Sequence, residues 1–189
     1  MPNQIRKPRN VALSGRSGAG KTAIAEYLAR RHGYRHLRSG ALCRRICLDL
    51  FGVDSKEMLN AVTDAMRSIR SDVWISAALR PGEGLEPIAF DSMRFATDYQ
   101  RLKLAGFALW RVEARLDVRV GRLGTRGQEF DPAVDDRAAP EVELDHHEFD
   151  YVIENDGRDL GELFAAADSA FEATASVFPA PSRFASEVG

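Results

Sequence analysis

The stretch Gly15-Arg16-Ser17-Gly18-Ala19-Gly20-Lys21-Thr22 fits the pattern G-x-x-x-x-G-K-T. The apolar run Val11-Ala12-Leu13 before it predicts a short buried strand, and Ile24 and Leu28 after it recur at helical spacing up to Gly33. Strand, glycine-rich loop and helix, in this order, are the context in which the pattern forms a phosphate-binding loop. The sequence therefore predicts an anion site where the first strand meets the first helix.

The chemistry of this loop follows from its residue types. Glycines allow successive backbone N–H groups to turn inward around a β-phosphate at the amino end of a helix. Lys21 adds a positive charge toward the β- and γ-phosphates, and the Thr22 hydroxyl is a ligand for Mg²⁺. We expect all eight residues from Gly15 to Thr22 to bind a nucleoside triphosphate.

Apolar strands alternate with helical patterns along the rest of the chain. Further strands are predicted at residues 34–37, 87–91, 107–112 and 149–153. Such alternation indicates an α/β, three-layer P-loop fold with about five parallel strands, helices on both faces and ligands at the carboxyl ends of the strands. The helix starts are predicted at polar capping residues, namely Asp54 with Glu57, Ser71 or Asp72, Thr97 with Gln100, Asp117, and Asp159 with Glu162.

Two charged residues follow the predicted strand at 87–91. Asp91 ends this strand, so its carboxylate would face the phosphate loop and could hold Mg²⁺ directly or through water; a plain helix cap is the alternative. Arg94 follows three residues later and would reach a transferred or acceptor phosphate, unless it is a surface arginine.

A helix before residue 127 carries Arg119, Arg122 and Arg126 three and four positions apart, on one face. Phosphoryl transfer needs positive charge around the equatorial oxygens, so we predict catalytic roles for these arginines, with a solvated basic stripe as the alternative. Residues 127–148 are polar, acidic and without period, which predicts a mobile lid; Arg137 within it is a further candidate for substrate binding.

Cysteine and histidine offer no metal set in this sequence. Cys43 and Cys47, the only cysteines, lie four apart on a predicted helix and are expected to be buried. His146 and His147 are adjacent and therefore point apart, which argues against a shared metal.

Beyond the loop, the run Ser39-Gly40-Ala41-Leu42-Cys43-Arg44 and the pair Asp91 and Arg94 resemble the nucleoside monophosphate kinase-like branch of the P-loop fold. The resemblance covers about residues 10–175. It implies that Arg44 contacts the phosphate of the acceptor, that Ser39 belongs to the substrate-binding site, and that the turn with Asn155 and Gly157 holds the donor base.

Finer features are similar to deoxynucleoside monophosphate kinases of phages and bacteria. The resemblance implies that Arg67 binds substrate, and Pro140-Glu141 replaces a Ser-Glu pair that relatives often carry in the lid. The matching blocks are Val62-Thr63-Asp64-Ala65-Met66-Arg67, Asp91-Ser92-Met93-Arg94-Phe95 and residues 149–157. The last block and residues 130–145, including Leu144-Asp145, are also similar to animal-type phosphomevalonate kinase.

Length and composition set the organisation. The 189 residues, 44% hydrophobic and 29% charged with a net charge of −2, predict one domain over residues 1–178. Within it lie an acceptor-binding helical region at about 39–80 and the lid at about 127–148, and residues 179–189 are expected to form a loose tail. We expect a cytoplasmic monomer or homodimer with no membrane segment and no stable nucleic-acid partner.

The sequence thus favours an ATP- and Mg²⁺-dependent kinase that moves the γ-phosphate onto a (deoxy)nucleoside monophosphate. An acceptor phosphate is already anionic, so no general base is needed. Alternatives are a kinase of another phosphorylated acceptor such as phosphomevalonate, a kinase of a hydroxymethylated base in DNA, and a regulator that binds ATP or GTP without transferring phosphate.

Overall fold

A five-stranded parallel sheet forms the centre of the computed structural model, which describes residues 10–79, 86–128, 130–157 and 159–175. The strand order is β2-β3-β1-β4-β5. This confirms the predicted sheet; the predicted tail at 179–189 lies outside the described residues. The strands are β1 (Asn10–Ser14), β2 (Arg35–Leu37), β3 (Ile88–Phe90), β4 (Ala108–Glu113) and β5 (Tyr151–Glu154).

Nine helical segments connect or follow these strands in the described residues. The two shortest lie within residues 127–148, which the sequence predicts to be aperiodic. The segments are α1 (Lys21–His32), α2 (Ser39–Phe51), α3 (Lys56–Ile69), α4 (Val73–Ala78), α5 (Ala96–Leu104), α6 (Leu116–Thr125), α7 (Pro132–Asp135), α8 (Ala139–Val142) and α9 (Leu160–Ala175). No described helix has the length and apolar character that a membrane crossing requires.

Helices cover both faces of the sheet, as predicted for a three-layer fold. On one face, α1 and α9 pack on strand residues such as Leu13 and Trp110. On the other face, α4 and α5 pack on Phe90 and Leu109, and Leu144 joins this core from the lid side. A third apolar cluster, which includes Cys43, Cys47, Val62 and Trp74, holds α2, α3 and α4 together.

The strand register brings the carboxyl ends of the strands to one edge. Ser14 pairs with Arg111, and Glu113 pairs with Glu154, so that Gly15 and Asn155 both begin just beyond this edge. Asp91 follows β3 at the same edge. The topology therefore places the phosphate loop beside the segments that follow β3, β4 and β5.

Helix α5 starts differently from the prediction. It begins at Ala96, and the Asp98 carboxylate accepts hydrogen bonds from the backbone N–H groups of Arg94 at 3.3 Å and Phe95 at 3.2 Å. The predicted capping box of Thr97 and Gln100 is therefore wrong. Burial raises the pKa of Asp98 to about 6, against the opposing effect of these two hydrogen bonds.

Other helix starts show that a polar residue near a boundary does not identify the cap. Helix α3 is capped by Ser55, whose hydroxyl accepts from Met58 N at 3.3 Å, and not by Asp54 with Glu57. Asp117 lies inside α6, since Arg115 precedes this helix. The caps predicted at Asp72 and Asp159 do adjoin their helices: Asp72 precedes α4, and Asp159 accepts from Gly161 N at 2.8 Å.

Candidate functional site

The phosphate loop is shaped by backbone conformations that only glycine adopts without strain. Gly15 has φ 133° and Gly20 has φ 113°. A Cβ on Gly15 would clash with the Val112 carbonyl, and one on Gly20 would lie 2.5 Å from Asn155 Nδ2. The loop thus fits closely between the ends of β4 and β5, which explains why glycine stands at both positions.

Lys21 lies inside this loop and is almost fully buried. Its ammonium donates hydrogen bonds to the Gly15 carbonyl and, at 3.0 Å, to the Arg16 carbonyl. Burial, helped by the nearby charge of Arg94, lowers the pKa of Lys21 to about 7. An anion in the loop would stabilise the charged form of this lysine, and the charged lysine would in turn favour phosphate binding.

The two predicted metal ligands adjoin each other. The Thr22 hydroxyl donates to the Asp91 carboxylate at 2.9 Å. Two side chains at the end of β2 also face this carboxylate, the His36 ring through Nε2 at 2.9 Å and the Arg38 guanidinium through Nε at 3.4 Å. Burial favours the neutral acid, but hydrogen bonds from His36, Ser92 and Thr22 hold the pKa of Asp91 below its usual value. Hydroxyl and carboxylate oxygens are ligands that Mg²⁺ prefers, so this pair fits the ion.

A carboxylate of the segment that the sequence predicts to be a lid (residues 127–148, called the lid below) lies in the phosphate loop. Glu141 of α8 accepts hydrogen bonds from Ser17 N at 2.7 Å and from the Ser17 hydroxyl at 2.9 Å. It also pairs with Arg94 Nη1 at 2.5 Å. Burial opposes its ionisation, but the charges of Arg94 and Lys21 and the Ser17 hydrogen bonds lower the pKa of Glu141.

Two further lid carboxylates bind arginines around the loop. Asp136 makes a two-pronged contact with Arg119, at 2.8 Å to Nη1 and 2.5 Å to Nη2. Asp145 bridges Arg16 and Arg111 at 2.6 Å each. Arg119, predicted as catalytic, is therefore paired with the lid in this state.

The predicted donor-base turn adjoins the loop. Asn155 Nδ2 donates to the Ala19 carbonyl at 2.7 Å, and Arg122 donates to Asn155 Oδ1 at 3.1 Å and to the Gly157 carbonyl at 2.8 Å. Burial lowers the pKa of Arg122, with a smaller contribution from Arg126. A cavity of about 80 Å³ lies at this turn. It is lined by Gly20, Ala23, Arg122, Arg126, Asn155, Gly157, Asp159, Leu160 and Leu163.

Predicted acceptor-side residues are only partly brought together. The Arg67 guanidinium carbon lies 3.4 Å from the centre of the Phe95 ring, next to the segment with Arg94, and its Nη1 is buried without a partner. Arg44 is exposed and pairs with Asp54 at 3.3 Å. Ser39 is the first residue of α2, and Arg137 is exposed.

A second, larger cleft of about 560 Å³ opens at the ends of β4 and β5. Four arginines and four carboxylates line it, so that their formal charges balance. They are Arg16, Arg111, Arg115, Arg119, Glu113, Asp145, Glu154 and Asp156.

Several residues of the site were missed by sequence reasoning. His36 and Arg38 stand at the end of a predicted strand, a position that could have marked them, because strand ends share the ligand-binding edge. Glu141, Asp136 and Asp145 lie in an aperiodic segment, where the resemblances mark Pro140-Glu141 and Leu144-Asp145 but imply no contact with the phosphate loop. Among the described residues, no group of three or more His, Cys, Asp and Glu side chains could hold a metal.

Solved kinases share this architecture. A gluconokinase from Sinorhizobium meliloti 1021 has a TM-score of 0.54 and 18% identity, over 91% of this chain and 96% of that one. A shikimate kinase from Acinetobacter baumannii in complex with shikimate has a TM-score of 0.50 and 17% identity, over 92% and 94%. The fold is that of the P-loop kinases. At these identities the likeness shows the fold and no substrate.

A cytidylate kinase from Caldicellulosiruptor saccharolyticus is 40% identical to this chain over 50 residues. The match covers 26% of this chain and 22% of that protein, so it spans about a fifth of the length of this relative. No family model matches the chain.

Proposed function

We propose that this protein is an ATP- and Mg²⁺-dependent kinase that transfers the γ-phosphate to the phosphate of a (deoxy)nucleoside monophosphate. The observation that carries the proposal is the convergence of Lys21, Thr22 with Asp91, and Arg94 on one glycine-shaped loop. Lys21 would supply positive charge toward the donor phosphates, Thr22 and Asp91 would bind the metal, and Arg94 would face the acceptor phosphate.

The donor side of the mechanism uses the loop and the turn after β5. Backbone N–H groups of residues 15–22 and the Lys21 ammonium would hold the β- and γ-phosphates, while Arg122 and Asn155 would border the base. Mg²⁺, when bound to Thr22 and Asp91, would neutralise charge on the transferred phosphoryl group. Burial of the site excludes water, which limits wasteful hydrolysis of ATP.

The acceptor side would rest on arginines. Arg94, next to the loop, would orient the acceptor phosphate, and the unpartnered Nη1 of Arg67 offers a second donor nearby. A phosphate oxygen needs no general base to attack. The stretch shared with a cytidylate kinase supports a nucleotide acceptor. We keep Ser39, Arg44 and Arg137 as proposed acceptor contacts.

One observation favours a second candidate, a kinase with a hydroxyl acceptor. The Glu141 carboxylate lies in the loop beside Arg94 and could accept a hydroxyl proton. The fold neighbours are named for gluconate and shikimate, which are hydroxylated acids. The lowered pKa of Glu141 makes it a weak base, which favours the phosphate acceptor.

We further propose that the protein works in the cytoplasm as a monomer or homodimer, without a stable nucleic-acid partner. Its lid would move to admit substrates, and residues 1–178 would act as one domain.

The function is tested by ADP release from Mg²⁺-ATP across a panel of ribo- and deoxyribonucleoside monophosphates, phosphomevalonate, gluconate, shikimate and hydroxymethylated DNA, each against an acceptor-free blank. Stimulation by one or two nucleoside monophosphates is the expected result. Stimulation by a hydroxylated acid alone would replace the proposal with the second candidate. ATP binding without any stimulation would favour the regulator.

A further inference from the structure

Glu141 occupies the loop with contacts that suit a phosphate oxygen. Its partners are a loop N–H group, a hydroxyl and the Arg94 guanidinium, with the Lys21 ammonium close enough to favour its charge. The side chain is only 7% exposed. A glutamate on the solvent-facing side of the lid would be hydrated, whereas the Glu141 carboxylate is bound by the hydrogen-bond donors of the anion site.

These contacts join residues that are far apart along the chain. Glu141 is 124 residues from Ser17 and 47 residues from Arg94 along the chain. Asp136 and Asp145 fix the lid on either side of it through Arg119, Arg16 and Arg111. The carboxylate is therefore delivered to the loop by an anchored segment.

Two anions cannot use the same donors at once, because they compete for hydrogen bonds and repel each other. We propose that Glu141 is an intramolecular competitor of the nucleotide phosphates, and that it sets the affinity of the loop for ATP. The inference rests on the proposed function in that the loop must bind a nucleoside triphosphate. Glu141 leaves the loop before the γ-phosphate takes its place.

A simple relation gives the size of the effect. The apparent Kd equals the intrinsic Kd divided by the fraction of molecules whose loop is free. If Glu141 fills the loop in about nine molecules of ten, its removal tightens binding about tenfold.

The test measures the Kd of Mg²⁺-adenylyl imidodiphosphate, and separately of tripolyphosphate, by calorimetry at pH 6.5. It compares the wild type, Glu141→Gln and Glu148→Gln. Glu148 lies at the exposed end of the same lid, so its variant removes an equal charge away from the loop. We expect Glu141→Gln to bind both ligands about tenfold more tightly, and Glu148→Gln to match the wild type.

Each other outcome counts against the inference in a distinct way. Equal or weaker binding by Glu141→Gln would overturn it and leave the proposed function standing. A gain for the nucleotide analogue without a gain for tripolyphosphate would overturn it too, since the effect would then act through the base. No binding by any of the three proteins would overturn both the inference and the proposed function. If Glu141→Gln fails to fold, Glu141→Asp, which withdraws the carboxylate by one methylene, must show the same tightening.

Discussion

The phosphate loop and the lid meet at Glu141, but they acquire their structures in opposite ways. The loop consists of consecutive residues that run from the end of β1 into the first turn of α1, and its path depends on glycine backbone angles such as φ 113° at Gly20. The lid has two helices of four residues each, and side-chain ion pairs to Arg16, Arg94, Arg111 and Arg119 hold it in place.

The difference shows which parts of a site a sequence can encode locally. A loop defined by backbone angles has a fixed pattern of residue types, because only glycine tolerates those angles. A segment defined by distant ion pairs has no fixed pattern, because any carboxylate that reaches an arginine serves. Substitutions in the loop should therefore act on its backbone path and on phosphate binding, whereas substitutions in the lid should act through the loss of single ion pairs.

The largest expected effect is at the centre of the loop. Lys21→Ala should lower turnover about a thousandfold, because a charge aimed at the transferred phosphoryl group is lost. Its fold should stay intact, since removing a buried ammonium relieves desolvation. Steady-state ADP release and a circular dichroism spectrum check this. Turnover at the wild-type level would refute the assignment of the loop.

The free energy of unfolding should depend on pH through Asp98. This carboxylate accepts backbone hydrogen bonds at the start of α5, in the segment that follows Asp91 and contains Arg94. The folded-state pKa of about 6 exceeds the ordinary value of 3.8, so the folded state binds the proton more tightly. Asp98 therefore contributes about 3 kcal/mol to the free energy of unfolding below about pH 4. This contribution is lost as the pH rises through 6.

Asp98→Asn keeps an oxygen for the Arg94 and Phe95 N–H groups but cannot ionise. Its free energy of unfolding, relative to the wild type, should therefore rise between pH 4 and pH 7. Urea unfolding at several pH values measures the difference. A difference that does not change with pH would show that Asp98 titrates normally.

Within the loop, Gly20→Ala should lower the free energy of unfolding by about 2 kcal/mol and abolish ATP binding, because the new Cβ meets Asn155 at a positive φ. Gly121→Ala is the matched control. Gly121 lies in α6 with open space around it, so alanine should be neutral or slightly stabilising there. Similar results for both variants would contradict the account of the loop.

In the lid, Asp136→Asn should lower the free energy of unfolding by about 2 kcal/mol, since it leaves the buried Arg119 without its carboxylate. Asp117→Asn breaks an exposed pair with Arg115 and should change stability by less than about 0.5 kcal/mol. Urea unfolding compares the two. Equal changes in the free energy of unfolding for the two variants would mean that the ion pair of Asp136 with Arg119 does not anchor the lid.

The smallest effect concerns the acceptor side. Arg44→Ala should raise the KM of the acceptor by about tenfold and leave the KM of ATP nearly unchanged, as expected for a contact to the acceptor phosphate alone. Initial rates with each substrate varied give both constants. A change confined to the KM of ATP would refute this role.

The sequence predicted what local physics dictates. The parallel sheet followed from apolar strands that alternate with helical patterns, and the position of Asp91 beside the phosphate loop followed from a carboxylate at a strand end. The cap of α5 was mispredicted because Thr97, Asp98 and Gln100 all offer capping groups, and only the backbone path selects Asp98. The contacts of Glu141 with Ser17 and Arg94 could not be predicted, since they depend on the tertiary position of the lid.

Transfer of the γ-phosphate can be followed directly with ATP that is radiolabelled at this position, in the presence of wild-type protein, Mg²⁺ and a mixture of nucleoside monophosphates. We expect labelled nucleoside diphosphate to be formed by the wild type, and about a thousandfold more slowly by Lys21→Ala. Label that stays in ATP, or appears only as inorganic phosphate, would contradict the proposed function.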